Sequence, residues 1–348
     1  MEDFNKNRLA LARRRRGMTK TKLAEAIGIS ARLLTAYESD NEDKVPSIDT
    51  LHKIAVQLCF PVSFFFQPSI ETLLPDAVSF RALTKMSASQ RDQALAAGEL
   101  AVMISEFFDT RFELPRMNIP NLTNYSPDEA AQAIRQEWQL GMKPISNTIN
   151  LLEKQGARVF SFPEKMNEID GFSFWRNGVP YILLSTFKNG ERGRMDVAHE
   201  LGHLVLHQES STSRSKAAET DAKQFASEFL MPRDSVLARA PRGANLTSIM
   251  KARTYWGVST SALTYRMHTL GLLSRYQYQS LFRQIGAAGL LRRELQTMPR
   301  ESAKAFGKAF QLLQKDGRPA RVSVAEDLCL TVEELNSLTF SPIRIMKV

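Results

Sequence analysis

The stretch DVAHELGHLVLH, Asp196 to His207, carries three of the chain's five histidines, each four residues after the last. Four-residue steps place side chains on one face of an α-helix, about 6 Å apart along its axis. His199 and His203 can therefore turn two imidazoles toward one zinc ion, each nitrogen at about 2.0–2.1 Å. Glu200 adjoins the first of them, where a carboxylate can take a proton from water activated by the ion. His207 lies about 12 Å along the axis from His199, so three histidines on a straight helix cannot all reach one ion. It also misses the longer three-histidine spacing. It reads as a supporting or helix-end residue.

Size and charge frame that site. A chain of 348 residues holds roughly two or three domains. Lys and Arg total 46 against 37 Asp and Glu, a net charge of +9. The isoelectric point is near 9.6, and such an excess favours a polyanionic partner, nucleic acid first. Cys59 and Cys329 have no CxxC partner, which argues against a disulfide framework and a cysteine zinc knuckle. The start, MEDFNKNRLALARRRRGM, lacks the apolar core of a signal peptide. No apolar run nears the ~20 residues that span a bilayer. A soluble, cytoplasmic protein with no membrane partner is expected, and no internal repeat stands out.

Residues 5–66 read as a series of short helices. Gly17 stops the first after a basic last turn. In TKTKLAEAIGIS, Thr19 is an N-cap, Leu23, Ala24 and Ile27 form the buried stripe, and Gly28 makes the turn. SARLLTAYES follows with Ser30 as the next cap. Helix, short glycine turn, helix is the helix–turn–helix pattern. Together with PSIDTLHKIAVQL and PVSFFF, this stretch resembles the XRE family of lambdoid-type repressors over about residues 5–66. The resemblance implies a double-stranded DNA operator, read as a homodimer with the second motif helix in the major groove. It places Ala31, Arg32 and Leu33 at the bases, with Ala36 one turn later. Arg32 would make the bidentate base contact, and Lys20 a phosphate contact. Glu38 matches a position of structural use. The Arg13–Arg16 run reads either as phosphate-contacting or as a solvated helix end, and His52 as a surface residue.

Beyond that head, VSF begins an extended piece, followed by a long helix on the spacing of Ala94, Leu100, Ile104 and Phe108. SPDEAAQAIRQEWQLG opens with a capping box and brings Trp138 and Leu140 to a core. GFSFW and VPYILLS are strands around a turn at Arg176–Gly178. The histidine helix comes next, so His-Glu-x-x-His lies where metallopeptidases carry it. A third ligand should come from KAAETDAKQFASEFLMP. Glu219 is preferred, with Asp221 and Glu228 as alternatives.

These residues, from about Arg135 to Pro232, resemble the ImmA/IrrE family of zinc metallopeptidases. The matching segments include ERGRMDVAHELGHLVLH and ETDAKQFASEFLMP. The resemblance implies a zincin-like, gluzincin-type endopeptidase with His199, His203 and Glu219 as ligands and Glu200 as base. Lys223 departs from it, since the family carries Asn, His or Asp there. Tyr181, Tyr265 and His268 are candidates for stabilising the oxyanion. WGVSTSALTYRMHTLG has a second helix–turn–helix cadence, in which Arg266 and His268 could touch nucleic acid or substrate, although packing onto the peptidase is the simpler role. RRELQTMPRESAKAFGKAFQLLQKDG reads as basic and helical, and VSVAEDLCLTVEELNSL as a last helical hairpin with Cys329 in its core.

The expected architecture is multidomain and mainly α. Residues 1–68 form an all-α helix–turn–helix head and 69–124 a helical linker. Residues 125–275 form an α+β peptidase domain with a small sheet, and 276–348 a helical tail. The resemblance implies a regulator that cleaves a protein substrate, an XRE-type repressor or itself, in a stress, prophage or toxin–antitoxin response. The competing reading is a repressor whose peptidase-like body only senses a ligand or partner.

Overall fold

In a computed structural model the described residues are 3–79, 86–162, 170–186, 189–208, 215–291, 294–295, 297–314 and 319–340. The head is built of α1 (Lys6–Arg15), α2 (Lys20–Ile27), α3 (Ala31–Tyr37) and α4 (Ile48–Leu58). Each start is set by a side-chain cap: Asn5, Thr19, Ser30 and Ser47 accept backbone N–H groups of the first turns. Gly28 ends α2 at φ +75°, a conformation open to glycine at no steric cost. A 3-10 turn at Val62–Phe66 closes the head's core with Phe64 and Phe65.

Four strands form one sheet: β1 (Val78–Ser79), β2 (Arg158–Phe162), β3 (Gly171–Arg176) and β4 (Val179–Ser185), in the order β1-β3-β4-β2. β2 runs parallel to β4, and the other pairs are antiparallel. β3 and β4 make the expected hairpin, with Asn177 and Gly178 both at positive φ, as a tight two-residue turn requires. The extended piece expected to begin at Val78 is β1 over Val78–Ser79; residues 80–85 lie outside the described residues.

The strand period of two splits the core. Tyr181 and Leu183 of β4 join one cluster, Ile182 and Leu184 the other. The first cluster is shared with the head, with α5 (Ala88–Asp109) and with the tail helices α14 (Ala305–Leu312), α15 (Ala320–Asp327) and α16 (Val332–Leu338). The second holds α6 (Pro127–Glu137), α7 (Thr148–Lys154), α8 (Gly190–Leu206) and α9 (Lys216–Leu230). It also takes in α11 (Leu246–Trp256), α12 (Thr260–Thr269) and α13 (Arg275–Ala287), after the short α10 (Arg233–Arg239). Trp138 is buried there, with Leu140 half-buried against it. None of the described helices is long and apolar enough to cross a membrane.

The tail differs from expectation in one place. Of the stretch read as helical from Arg292 to Gly317, only α14 is helix; residues 292, 293, 296 and 315–317 lie outside the described residues. Residues 297–304 instead run as a strap fastened by carboxylates. Met298 N donates to Glu191 Oε1 at 3.0 Å, and Lys304 N to Glu153 Oε2 at 2.9 Å. Glu301 Oε2 accepts from Thr148 N at 2.7 Å and caps the start of α7. Backbone donors spent on these carboxylates, and Pro299 with none, leave no helical ladder.

Candidate metal centre and nucleic-acid interface

The centre is made by two crossing helices. α8 lies on the sheet, covering β3 and β4, and α9 packs along α8. Gly202 allows their close approach: a Cβ there would stand 3.1 Å from Ala222 Cα and 3.1 Å from Phe225 Cδ1. That approach brings Glu219 to the histidines. His203 Nε2 lies 3.2 Å from His199 Nε2 and 3.2 Å from Glu219 Oε1. His199 Nε2 is 3.6 Å from Glu219 Oε2.

These residues fit a metal ion. Their ligand atoms all lie within 4.8 Å of one another. A tetrahedron with bonds of about 2.0–2.1 Å has edges of roughly 3.3–3.4 Å; the two imidazole nitrogens stand 3.2 Å apart, and the carboxylate meets one of them with each oxygen. Two neutral nitrogens and a carboxylate, with a fourth position left over, are a catalytic zinc set. Burial alone would raise the Glu219 carboxyl. Hydrogen bonds and charge from His199 and His203 outweigh it and hold the group well below the usual carboxylate range. That charge belongs to protonated imidazoles, and a metal bound by the neutral rings would take its place beside the carboxylate.

Glu200 is buried, and its Oε2 accepts a hydrogen bond from Ser173 Oγ at 2.8 Å. Sequence reasoning missed Ser173. The signal was there: in GFSFW it alternates with Phe172 and Phe174, so it points to the face opposite theirs, toward α8.

The alternative third ligands are engaged elsewhere. Glu228 is buried against Arg266, and also accepts from Gln132 Nε2 at 3.2 Å. Asp221 Oδ2 lies 3.7 Å from Nε2 of His207, the residue that ends α8. Lys223 is exposed. Tyr181, an oxyanion candidate, is buried within the other core, where burial pushes its phenol up. His268 stacks on Tyr278, with ring centroids 4.4 Å apart, and Tyr265 is exposed on α12. Arg266 is buried, which makes packing its role. α12 offers no reading end: Thr260 N donates to Glu294 Oε1 at 2.8 Å, so a buried carboxylate holds the place a phosphate would take.

In the head, Ala31 and Arg32 are exposed at the start of α3, and Leu33 is half-buried. Ala36 is only 2% exposed and cannot face a base. At 3.6 residues per turn it lies five residues past Ala31, on the inner side beside Tyr37, whereas Thr35 shares Ala31's face. Lys20 Nζ is 3.5 Å from Glu38 Oε2. Glu38 also holds Arg13 through paired bonds of 2.7 and 2.8 Å, which makes its structural use concrete. The arginine run is internal wiring, not a solvated end. Arg14 pairs with Glu99 of α5, and Arg15 and Arg16 both pair with Glu334 of α16. His52 is exposed, as expected.

Two family models match the chain. The helix–turn–helix model covers residues 9–58, and the IrrE N-terminal-like domain of the M78 peptidases covers residues 152–268. The chain joins a domain of each kind. The IrrE-like match contains α8 and α9, hence both histidines, Glu200 and Glu219; the helix–turn–helix match contains α2 and α3. No curated protein matches the chain.

Proposed function

We propose that this is a DNA-binding transcription regulator whose IrrE-like domain is a zinc endopeptidase. The supporting observation is the convergence of His199, His203 and Glu219, beside a buried Glu200, between two packed helices. Zinc bound by those three residues supplies Lewis acidity toward water and toward a substrate carbonyl. Glu200 takes the proton of the attacking water and passes it to the leaving amine. Ser173 fixes the carboxylate's direction. The exposed start of α3, with Arg32 as the base-reading side chain, binds a duplex operator as a homodimer, and Lys20 adds a phosphate contact.

The protein cut is an XRE-type repressor or this chain itself, and the cut relieves repression in a stress, prophage or toxin–antitoxin response. Purified wild type and Glu200→Gln, both with zinc, test the reading. Smaller bands in wild type alone indicate self-cleavage, and loss of a co-incubated repressor band indicates cleavage in trans. Elemental analysis of wild type, His203→Ala and Glu219→Ala tests the centre. About one zinc per chain is expected, lost in both variants. A wild type without zinc would leave a DNA-binding regulator with a non-catalytic, sensing body.

A further inference from the structure

The expectation of a chain without repeats is wrong in one place. KLAEAIGISARLL, residues 22–34, and SVAEDLCLTVEEL, residues 323–335, align without a gap. The structures follow. α15 has 8 residues and α16 has 7, as do α2 and α3. Leu23, Ala24, Ile27 and Leu34 are buried, and so are their counterparts Val324, Ala325, Leu328 and Leu335. Gly28 turns at φ +75°, and Cys329 in its place at +52°. Leu33 N donates to the cap Ser30 Oγ at 3.1 Å, and Glu334 N to the cap Thr331 Oγ1 at 3.2 Å.

The two units part at the positions that would face bases. Arg32 and Leu33 of the first become Glu333 and Glu334 in the second. Carboxylates there repel a phosphate backbone. Glu334 is instead buried under the head, where its Oε1 accepts from Arg15 Nε at 2.6 Å and its Oε2 from Arg16 Nη1 at 2.6 Å. At its other end α16 holds the sheet. Ser161 Oγ of β2 donates to Ser337 O at 2.9 Å and accepts from Phe340 N at 2.9 Å.

We propose that residues 320–338 are a second helix–turn–helix unit turned from reading DNA to holding the DNA-reading head. Its reading helix recognises a pair of adjacent arginines at the end of the head's first helix. α16 is thereby the joint through which the head and the peptidase sheet sense each other. The inference stands whether or not the IrrE-like domain cleaves peptides.

Hydrogen exchange on the wild-type full chain, with and without a random-sequence DNA duplex, tests it. Protection is expected at residues 20–37 and none at 320–338. Protection at 320–338 would mean a DNA reader and would overturn the inference. The variant Glu334→Leu gives the second test. Exchange in α1 should rise about tenfold or more as the head loosens, with zinc content unchanged. The exposed neighbour variant Glu333→Gln should leave α1 as in wild type. An α1 no faster in Glu334→Leu than in wild type would overturn the clasp.

Discussion

Position 200 carries the carboxylate suited to be the base, and position 173 gives that carboxylate a fixed direction through one hydrogen bond. Replacing Glu200 by Gln leaves all three metal ligands, so zinc should stay bound. Hydrolysis of a casein substrate should fall by about 10²–10⁴. Retained activity would remove Glu200 as the base. Ser173→Ala should also keep zinc and lower kcat by about tenfold with KM little changed, the pattern of lost aim rather than lost binding. Equal activity in that variant would reduce Ser173 to a packing residue. In the head, Arg32→Ala should weaken duplex affinity by about 1–3 kcal/mol in a titration at fixed salt, with zinc content unchanged. At this scale the sequence was readable where chemistry is spaced along one helix, as with His199, Glu200 and His203. It was less readable where the partner comes from a strand, as Ser173 does, or where a face must be counted round a short helix, as with Ala36.

Helices and strands were legible because each carries its own period and cap. Ser87 and Gln90 box the start of α5, Ser126 and Glu129 that of α6, and the β3–β4 turn shows its glycine. What stayed hidden is how elements meet. Gly202 looks like a spacer in HELGH, yet it sets the crossing of α8 and α9. Gly202→Val should push α9 outward, separate Glu219 from the histidines and lower zinc affinity by tenfold or more, roughly 1.4 kcal/mol. Competition with a chelator measures this, and unchanged affinity would show that the helices can give way. The strap at 297–304 was hidden for a different reason. Its stretch reads as basic and helical, but its one acidic residue, Glu301, is bound to Arg194 at 2.9 Å with both side chains buried. Breaking one side of such a pair strands the other charge. Glu301→Ala should therefore cost about 3–5 kcal/mol in urea unfolding.

Across the whole molecule, the arginine run Arg13–Arg16 at the end of α1 distributes the head's attachments: Arg13 inward to Glu38 just after α3, Arg14 to α5, and Arg15 and Arg16 to α16. Burial alone would raise the Glu334 carboxyl, but Arg15 and Arg16 outweigh it and hold the group below the usual carboxylate range. The folded value lies below the unfolded one. The contribution is therefore fully present above the ordinary carboxylate range and is lost as pH falls through the folded value. Wild type should exceed Glu334→Gln in stability by about 3–5 kcal/mol near neutral pH. The gap should close in acid, where wild type itself carries a neutral carboxyl. A gap independent of pH would deny the pairing its electrostatic character. A net charge of +9 suggested nucleic acid from composition alone, but composition could not say which cations were already taken.

The bond from Arg15 to Glu334 joins residues 319 apart in sequence. A chain emerging from the ribosome folds its first domain early, from local contacts. The head can thus acquire its four helices long before α16 exists. Until then Arg15, only 1% exposed in the finished protein, has no carboxylate to meet. Synthesis interrupted anywhere before Glu334 would leave a head able to fold but with its arginines open to other acidic surfaces. The clasp is in effect a proofreading mark that translation has passed Glu334, since only a chain read through its second helix–turn–helix unit can close upon the head.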